Sequence, residues 1–284
     1  MRAVPRIRTA VALAGAAVSL TLGLATAAPA AQFVGLGDSY AAGPLIPNQS
    51  LNPLGCLRSD KNYAHLAAAQ LGKTLSDVSC SGATTEDMTA AQGVTPGPNP
   101  PQFNALSSAT QTVTLSIGGN DIGFTSIIEN CAAPTPFGRP CQDKYNSGGV
   151  DQLAARIDAT APKVAAVIQG IHQRSPSARV LVIAYEPILP ETGSGCWPQV
   201  PLAWADVPYL RATQKRLNTM LANVAAANGA RYVDTYTASI GHDSCKSSSV
   251  RWVEPLIPGN TAAPFHPNAR GMAGVTPTVV AAAR

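Results

Sequence analysis

Short apolar runs alternate with longer amphipathic stretches along almost the whole chain. Gln32–Leu36, Thr74–Val78, Thr112–Ile117, Ala178–Ile183 and Arg231–Asp234 are brief, β-branched or apolar, and read as strands. Thr112–Ile117 and Ala178–Ile183 are nearly continuous in this character, as strands buried on both faces are. Between the runs lie helical periods. Val150, Leu153, Ile157, Val164, Val167, Ile168 and Ile171 recur at three- and four-residue spacing, and so do Val207, Leu210, Leu217, Met220, Leu221 and Val224. The rhythm predicts an α/β fold: a central parallel five-stranded sheet with helices on both faces, a three-layer α/β/α sandwich. No internal repeat and no second domain is visible. Gly93–Pro101, Cys131–Cys141 and the proline-rich Tyr185–Trp204 break the rhythm, and irregular stretches of that length are where binding surfaces are usually built.

The first thirty residues do not belong to this pattern. Arg2, Arg6 and Arg8 form a basic start, Thr9 to Thr26 is uncharged and mostly apolar, and Ala28-Pro29-Ala30 has the small-residue form of a cleavage site. We expect residues 1–30 to be a secretory signal peptide and 31–284 a single catalytic domain of roughly 254 residues, large enough for a sizeable core. A retained membrane anchor is the alternative; the missing basic flank after the apolar stretch speaks against it. The arginines are not adjacent, so a twin-arginine signal does not fit.

Removing the leader changes the charge. The chain carries +4, and losing three arginines and no acidic residue leaves about +1. No basic run or stripe remains, so nucleic-acid binding loses its support. All six cysteines, Cys56, Cys80, Cys131, Cys141, Cys196 and Cys245, follow the leader. An even count in an exported chain implies disulfides, with every pairing open at this level. There is no C-x-x-C, and His242 with Cys245 is an isolated pair, so no metal is expected.

Four short blocks carry candidate chemistry. Gly37-Asp38-Ser39-Tyr40 follows the first strand, Ser81-Gly82-Ala83 the second and Gly118-Gly119-Asn120-Asp121 the third; Phe265-His266-Pro267-Asn268 comes after the fifth. In open α/β sheets ligands bind beyond the carboxyl ends of the strands, where strand order reverses. With the flavodoxin-like order 2-1-3-4-5, Ser39 and Asn120 face each other across that reversal. In type, order and spacing the blocks resemble the SGNH hydrolases, the GDSL lipase/esterase family, across essentially all of the chain beyond the leader.

The resemblance implies an SGNH hydrolase fold and a serine esterase or lipase acting through an acyl-enzyme. Ser39 would be the nucleophile and His266 its base. The oxyanion hole would be the backbone N–H groups of Ser39 and Gly82 with the Asn120 side chain. Secreted actinobacterial members imply the pairing Cys56–Cys80, Cys131–Cys141 and Cys196–Cys245. Each bridge would contribute about 3–4 kcal/mol by loop entropy. One departure matters. Many members carry an aspartate three residues before the histidine; here that position is Ala263. We expect a Ser39–His266 dyad in which a backbone carbonyl, that of Ala263, accepts the Nδ1–H of His266. Asp243 and Glu254 are upstream without the matching spacing.

Each residue also has a plainer reading. Ser39 alone could be a helix N-cap. Asp38 and Asp121 read as turn-stabilising acceptors, and His65 and His172 as structural or solvated. His242 is balanced between the two readings, and Trp252 is placed at the pocket rim. No G-x-S-x-G, no S-x-x-K and no P-loop lysine is present, which disfavours an ordinary α/β-hydrolase, an S-x-x-K acyl transferase and a phosphate cradle. The substrates implied are small-molecule or lipid acyl esters, fatty-acyl esters first. Phospholipase A1-type and acetyl-carbohydrate esters stand behind them. No cofactor is expected, the chain is expected to be a monomer, and contact with lipid surfaces is expected to be at most transient. From a different class, a secreted binding protein that kept the fold without its chemistry is the competing reading.

Overall fold

Five parallel strands, β1 (Phe33–Gly37), β2 (Leu75–Asp77), β3 (Thr112–Ser116), β4 (Arg179–Ile183) and β5 (Arg231–Val233), form one sheet in the order β2-β1-β3-β4-β5. The computed structural model describes residues 1–3 and 31–284, so the expected leader lies, but for its first three residues, outside what is described. Register is continuous from Phe33↔Thr112 to Gly37↔Ser116 across the central β1–β3 pair. Connections leave that pair in opposite directions, and the switch point opens between their carboxyl ends.

The helices, in chain order, are α1 (Ser39–Ala42), α2 (Tyr63–Leu71), α3 (Phe124–Cys131), α4 (Pro140–Tyr145), α5 (Gln152–Arg174), α6 (Asp206–Ala227), α7 (Thr235–Ala238) and α8 (Ala269–Ala283). Strand alternation decides which layer each side chain joins. Val34, Leu36, Val113, Leu115, Val180 and Val182 point towards α5 and α6 and share a core with Ile157, Ile168 and Leu221. Phe33, Leu181, Ile183 and Val233 point the other way and pack with Ala64 of α2 and Met272, Val275 and Val279 of α8.

Caps set the helix starts. Asp151 accepts from the Leu153 and Ala154 amides at 2.9 and 3.0 Å, which starts α5 after Val150 and leaves that valine 62% exposed. Asn268, from the fourth sequence block, caps α8 by accepting from the amides of Arg270 and Gly271. The disulfides join Cys56 to Cys80, Cys131 to Cys141 and Cys196 to Cys245. The first ties the loop after β2 to the segment before α2. The second staples α3 to α4, and the third fastens the irregular 185–204 stretch to the loop after α7. Among the described residues, no helix is long and apolar enough to cross a membrane.

Candidate active site

Ser39 opens α1 directly beyond β1, and the cap of that short helix is Asp38, whose carboxylate accepts from the Tyr40 amide at 2.9 Å. Because Asp38 caps the turn, the Ser39 hydroxyl is free for another partner. That partner is His266: its Nε2 lies 2.8 Å from Ser39 Oγ. His266 Nδ1 lies 2.7 Å from a backbone carbonyl. A carbonyl only accepts, so Nδ1 carries the proton and Nε2 presents its lone pair to the serine.

The carbonyl is that of Pro264, which corrects the expectation for Ala263. Phe265 adopts φ +60°, and this left-handed residue folds the chain back so that the oxygen two residues before the histidine reaches its ring. The Ala263 carbonyl accepts the His266 backbone amide instead, at 3.2 Å. Neither upstream carboxylate partners the ring. Asp243 accepts from the Cys245 amide. Glu254 is spent on Arg251, Gly259, Asn260 and Asn268. Burial pushes Glu254 up, but those hydrogen bonds outweigh it and hold the carboxyl below its usual range. Burial pulls His266 below its ordinary value against the opposing Pro264 bond, which favours the neutral imidazole a general base needs.

Asn120 lines the same cavity as Ser39. One N–H of its side-chain amide is given to the Ala83 carbonyl at 2.9 Å, and among the described residues the second has no such bond. Gly82 sits in the loop that Asn120 thereby holds. The same loop is tied to β1 by the Cys80 amide on the Gly37 carbonyl at 3.0 Å. Gly82 itself is not among the cavity's walls. Among the described residues, neither the Ser39 nor the Gly82 backbone N–H has a protein acceptor.

The remaining candidates fall outside this group. Asp121 accepts from the Thr85 amide and hydroxyl at 3.0 and 2.5 Å, a structural brace. His65 lies 3.6 Å from Asp77, and His172 faces the Asn228 carbonyl at 3.1 Å. Trp252 is not at the pocket rim; its ring stacks on His242 at 4.1 Å and packs against Gly274 of α8. His242 is thereby placed in a structural stack, with Nδ1 on the Val250 carbonyl.

Two tyrosines that the sequence reading passed over complete the surroundings. Tyr40 donates its hydroxyl to the Phe265 carbonyl at 2.7 Å, anchoring the turn that presents His266. Tyr185 donates to Asp38 at 2.5 Å and accepts from the Gly119 amide at 2.8 Å. Adjacency to Ser39 was the available signal for Tyr40; for Tyr185 it was a polar aromatic just past the end of a buried strand. From Ser39 a cavity of about 80 Å³ runs inward between α3, α6 and the 188–202 segment. Ile127, Ile188, Val200, Leu202, Leu210 and Leu217 make its walls apolar. A hydroxyl poised against a neutral imidazole at the mouth of an apolar cavity can attack an acyl carbon whose hydrocarbon tail is buried behind it.

Comparison with known proteins identifies the family. Residues 36–273 match the model of the GDSL-like lipase/acylhydrolase family. Lipase 2 of Streptomyces coelicolor is 40% identical, over 94% of each chain. The crystal structure of phospholipase A1 from Streptomyces albidoflavus NA297 superposes with a TM-score of 0.74 at 27% identity, covering 89% of this chain and 99% of that one. The extracellular lipase from Streptomyces rimosus gives a TM-score of 0.69 at 28% identity, over 88% and 98%.

Proposed function

The chain belongs to the GDSL-like lipase/acylhydrolase family, and from that premise we propose that it is a secreted serine esterase or lipase that hydrolyses fatty-acyl esters through an acyl-enzyme on Ser39. It is a carboxylic ester hydrolase. Ser39 Oγ attacks the ester carbonyl as His266 Nε2 takes its proton. The negative charge that develops on the carbonyl oxygen is met by the Ser39 and Gly82 amides and by the free N–H of Asn120. His266 then protonates the departing alcohol. In the second half it activates water against the acyl-enzyme and releases the acid. The Pro264 carbonyl holds the tautomer throughout, without a carboxylate behind the histidine.

The observation that carries this reading is the 2.8 Å approach of Ser39 and His266 at the mouth of the apolar cavity. The cavity favours an acyl tail over an acetyl group, because a short acid would leave most of that apolar wall unused. Likeness to the Streptomyces albidoflavus phospholipase A1 supports cleavage of phospholipid esters on the same machinery as a second reading. Three disulfides and the leader-like residues 1–30 support export. The mature N-terminus, read by mass spectrometry of the exported protein, tests it.

Hydrolysis of p-nitrophenyl esters from acetyl to palmitoyl tests the function, with Ser39→Ala in parallel. We expect turnover that favours medium or long chains and vanishes in the variant. Turnover retained by Ser39→Ala would refute the acyl-enzyme, and none by the wild type on any ester would favour a binding protein.

A further inference from the structure

We propose that Tyr185 is a positioning residue, a buried strut whose phenol locks the turn bearing Ser39 to the loop bearing Asn120. The proposal rests on the serine-hydrolase reading above and adds to it a residue outside the four sequence blocks.

Tyr185 lies two residues beyond β4, and its backbone is gripped on both sides by Asn218 of α6. The Tyr185 amide donates to Asn218 Oδ1 at 3.0 Å, and Asn218 Nδ2 donates to the Tyr185 carbonyl at 2.9 Å. The ring stands edge-on to Tyr40, with centroids 5.0 Å apart. So fixed, the hydroxyl has two partners. It donates to Asp38 Oδ2 at 2.5 Å and accepts from the Gly119 amide at 2.8 Å. A side chain at Gly119 would put its Cβ 3.0 Å from the phenol oxygen, so the glycine leaves room for the tyrosine to reach the backbone.

The two ends of the strut lead directly to the chemistry. Asp38 uses its other oxygen to cap α1 through the Tyr40 amide, and Ser39 lies between them. Gly119 precedes Asn120, which in turn holds Ala83 next to Gly82. One phenol thus links the carboxyl ends of β1, β3 and β4, and through Asn120 the loop after β2. Asp38 is 2% exposed and Tyr185 5%, so these bonds are strengthened by burial even though both residues also line the cavity. The phenol proton is committed to Asp38, which makes the hydroxyl a holder of other groups rather than a reactant.

The strut works with Asp38 ionised. A protonated Asp38 has less acceptor capacity and a proton of its own to place, so it holds the phenol less firmly. Burial raises Asp38 to about 7 against the hydrogen bonds from Tyr185 and Tyr40, and Asp121 in the β3 loop adds to the rise. Glu186 couples to Asp38 from beyond β4. Burial keeps the Tyr40 and Tyr185 phenols protonated. His266 reaches this group through its hydrogen bond with Ser39 and through the Tyr40 ring, 5.3 Å away between centroids.

Tyr185→Phe keeps the ring and removes the strut. Steady-state kinetics on a p-nitrophenyl ester should show kcat lowered roughly 10–100-fold with KM within about twofold, since a small misplacement of reacting groups has effects of that size. The acidic limb of kcat/KM should move up in Tyr185→Phe, because the phenol's hydrogen bond holds Asp38 down against its burial and Asp38 still caps α1 beside Ser39. Asp38→Asn probes the same bond from its other end: it should lower kcat likewise and take the Asp38 ionisation out of the acidic limb; it also serves if Tyr185→Phe melts early. The double variant should be no slower than the slower single one. Wild-type kcat and an unmoved acidic limb in Tyr185→Phe, or losses that multiply in the double variant, would overturn the strut while the hydrolase reading stands. A wild type that neither turns over esters nor reacts with an organophosphonate would overturn that reading and the strut's role with it.

Discussion

In the proposed mechanism the two N–H groups of Asn120 have separate tasks. One holds the Ala83 carbonyl, and the other is available to a developing oxyanion. Asn120→Ala should therefore lower kcat by about 10²–10³, the usual effect of losing one oxyanion donor. Melting temperature should move little, because only one partly buried hydrogen bond is lost. A kcat within about threefold of wild type would remove Asn120 from the oxyanion hole. At this scale the sequence was informative where a residue's chemistry travels with its neighbours. Ser39, Gly82, Asn120 and His266 each stand in a block whose place in the chain announces them. It was silent where the partner is chosen by backbone reversal or by a distant strand. Which carbonyl meets His266 depends on the left-handed turn at Phe265, and nothing in the residue types around Ala263 and Pro264 indicates that turn.

Elements buried on both faces were the easiest to read. β3 and β4 coincide within a residue or two with their apolar runs, and the long periods of α5 and α6 follow from one stripe facing the sheet. α8 escaped, because Gly271, Gly274 and Pro277 interrupt the period that would have shown it. The glycines are there for a partner. A Cβ on Gly274 would lie 2.4 Å from the Trp252 ring, so the helix is thinned to seat the indole. Gly274→Ala gains about 1 kcal/mol of helix propensity but overpacks the contact, a cost of about 1–3 kcal/mol or more at so short a distance. The net expectation is a melting temperature lower by a few degrees, and a rise would mean that Trp252 moves aside freely. The same packing explains why Trp252 is not at the pocket, although aromatic residues late in such a chain suggest one.

For the molecule as a whole, two buried carboxyls set a direction for pH. Burial raises Glu186 to about 8 and Asp38 to about 7, whereas unfolded carboxyls titrate near 4. Between those values the folded chain keeps protons that the unfolded chain has released. Their contribution to stability is therefore present below about pH 4 and lost as pH rises through 7 and 8. Glu186→Gln removes that dependence for one group. It should melt within about a degree of wild type at pH 5 and a few degrees higher at pH 8. Equal melting at both would place Glu186 in contact with a cation or water that pays for its charge. The sheet order was legible at this scale because switch-point logic needs only the order of the blocks, whereas the meeting of Ser39 with His266 was legible only through the family resemblance. Ser39 and His266, 2.8 Å apart, are separated by 227 positions. A ribosome makes the proposed nucleophile early and the proposed base almost last, so any chain cut short before Pro264 would have half of the proposed catalyst. An exported hydrolase built this way would leave its own cell's lipids untouched until the last helix has docked, and its first turnover would report that folding is complete.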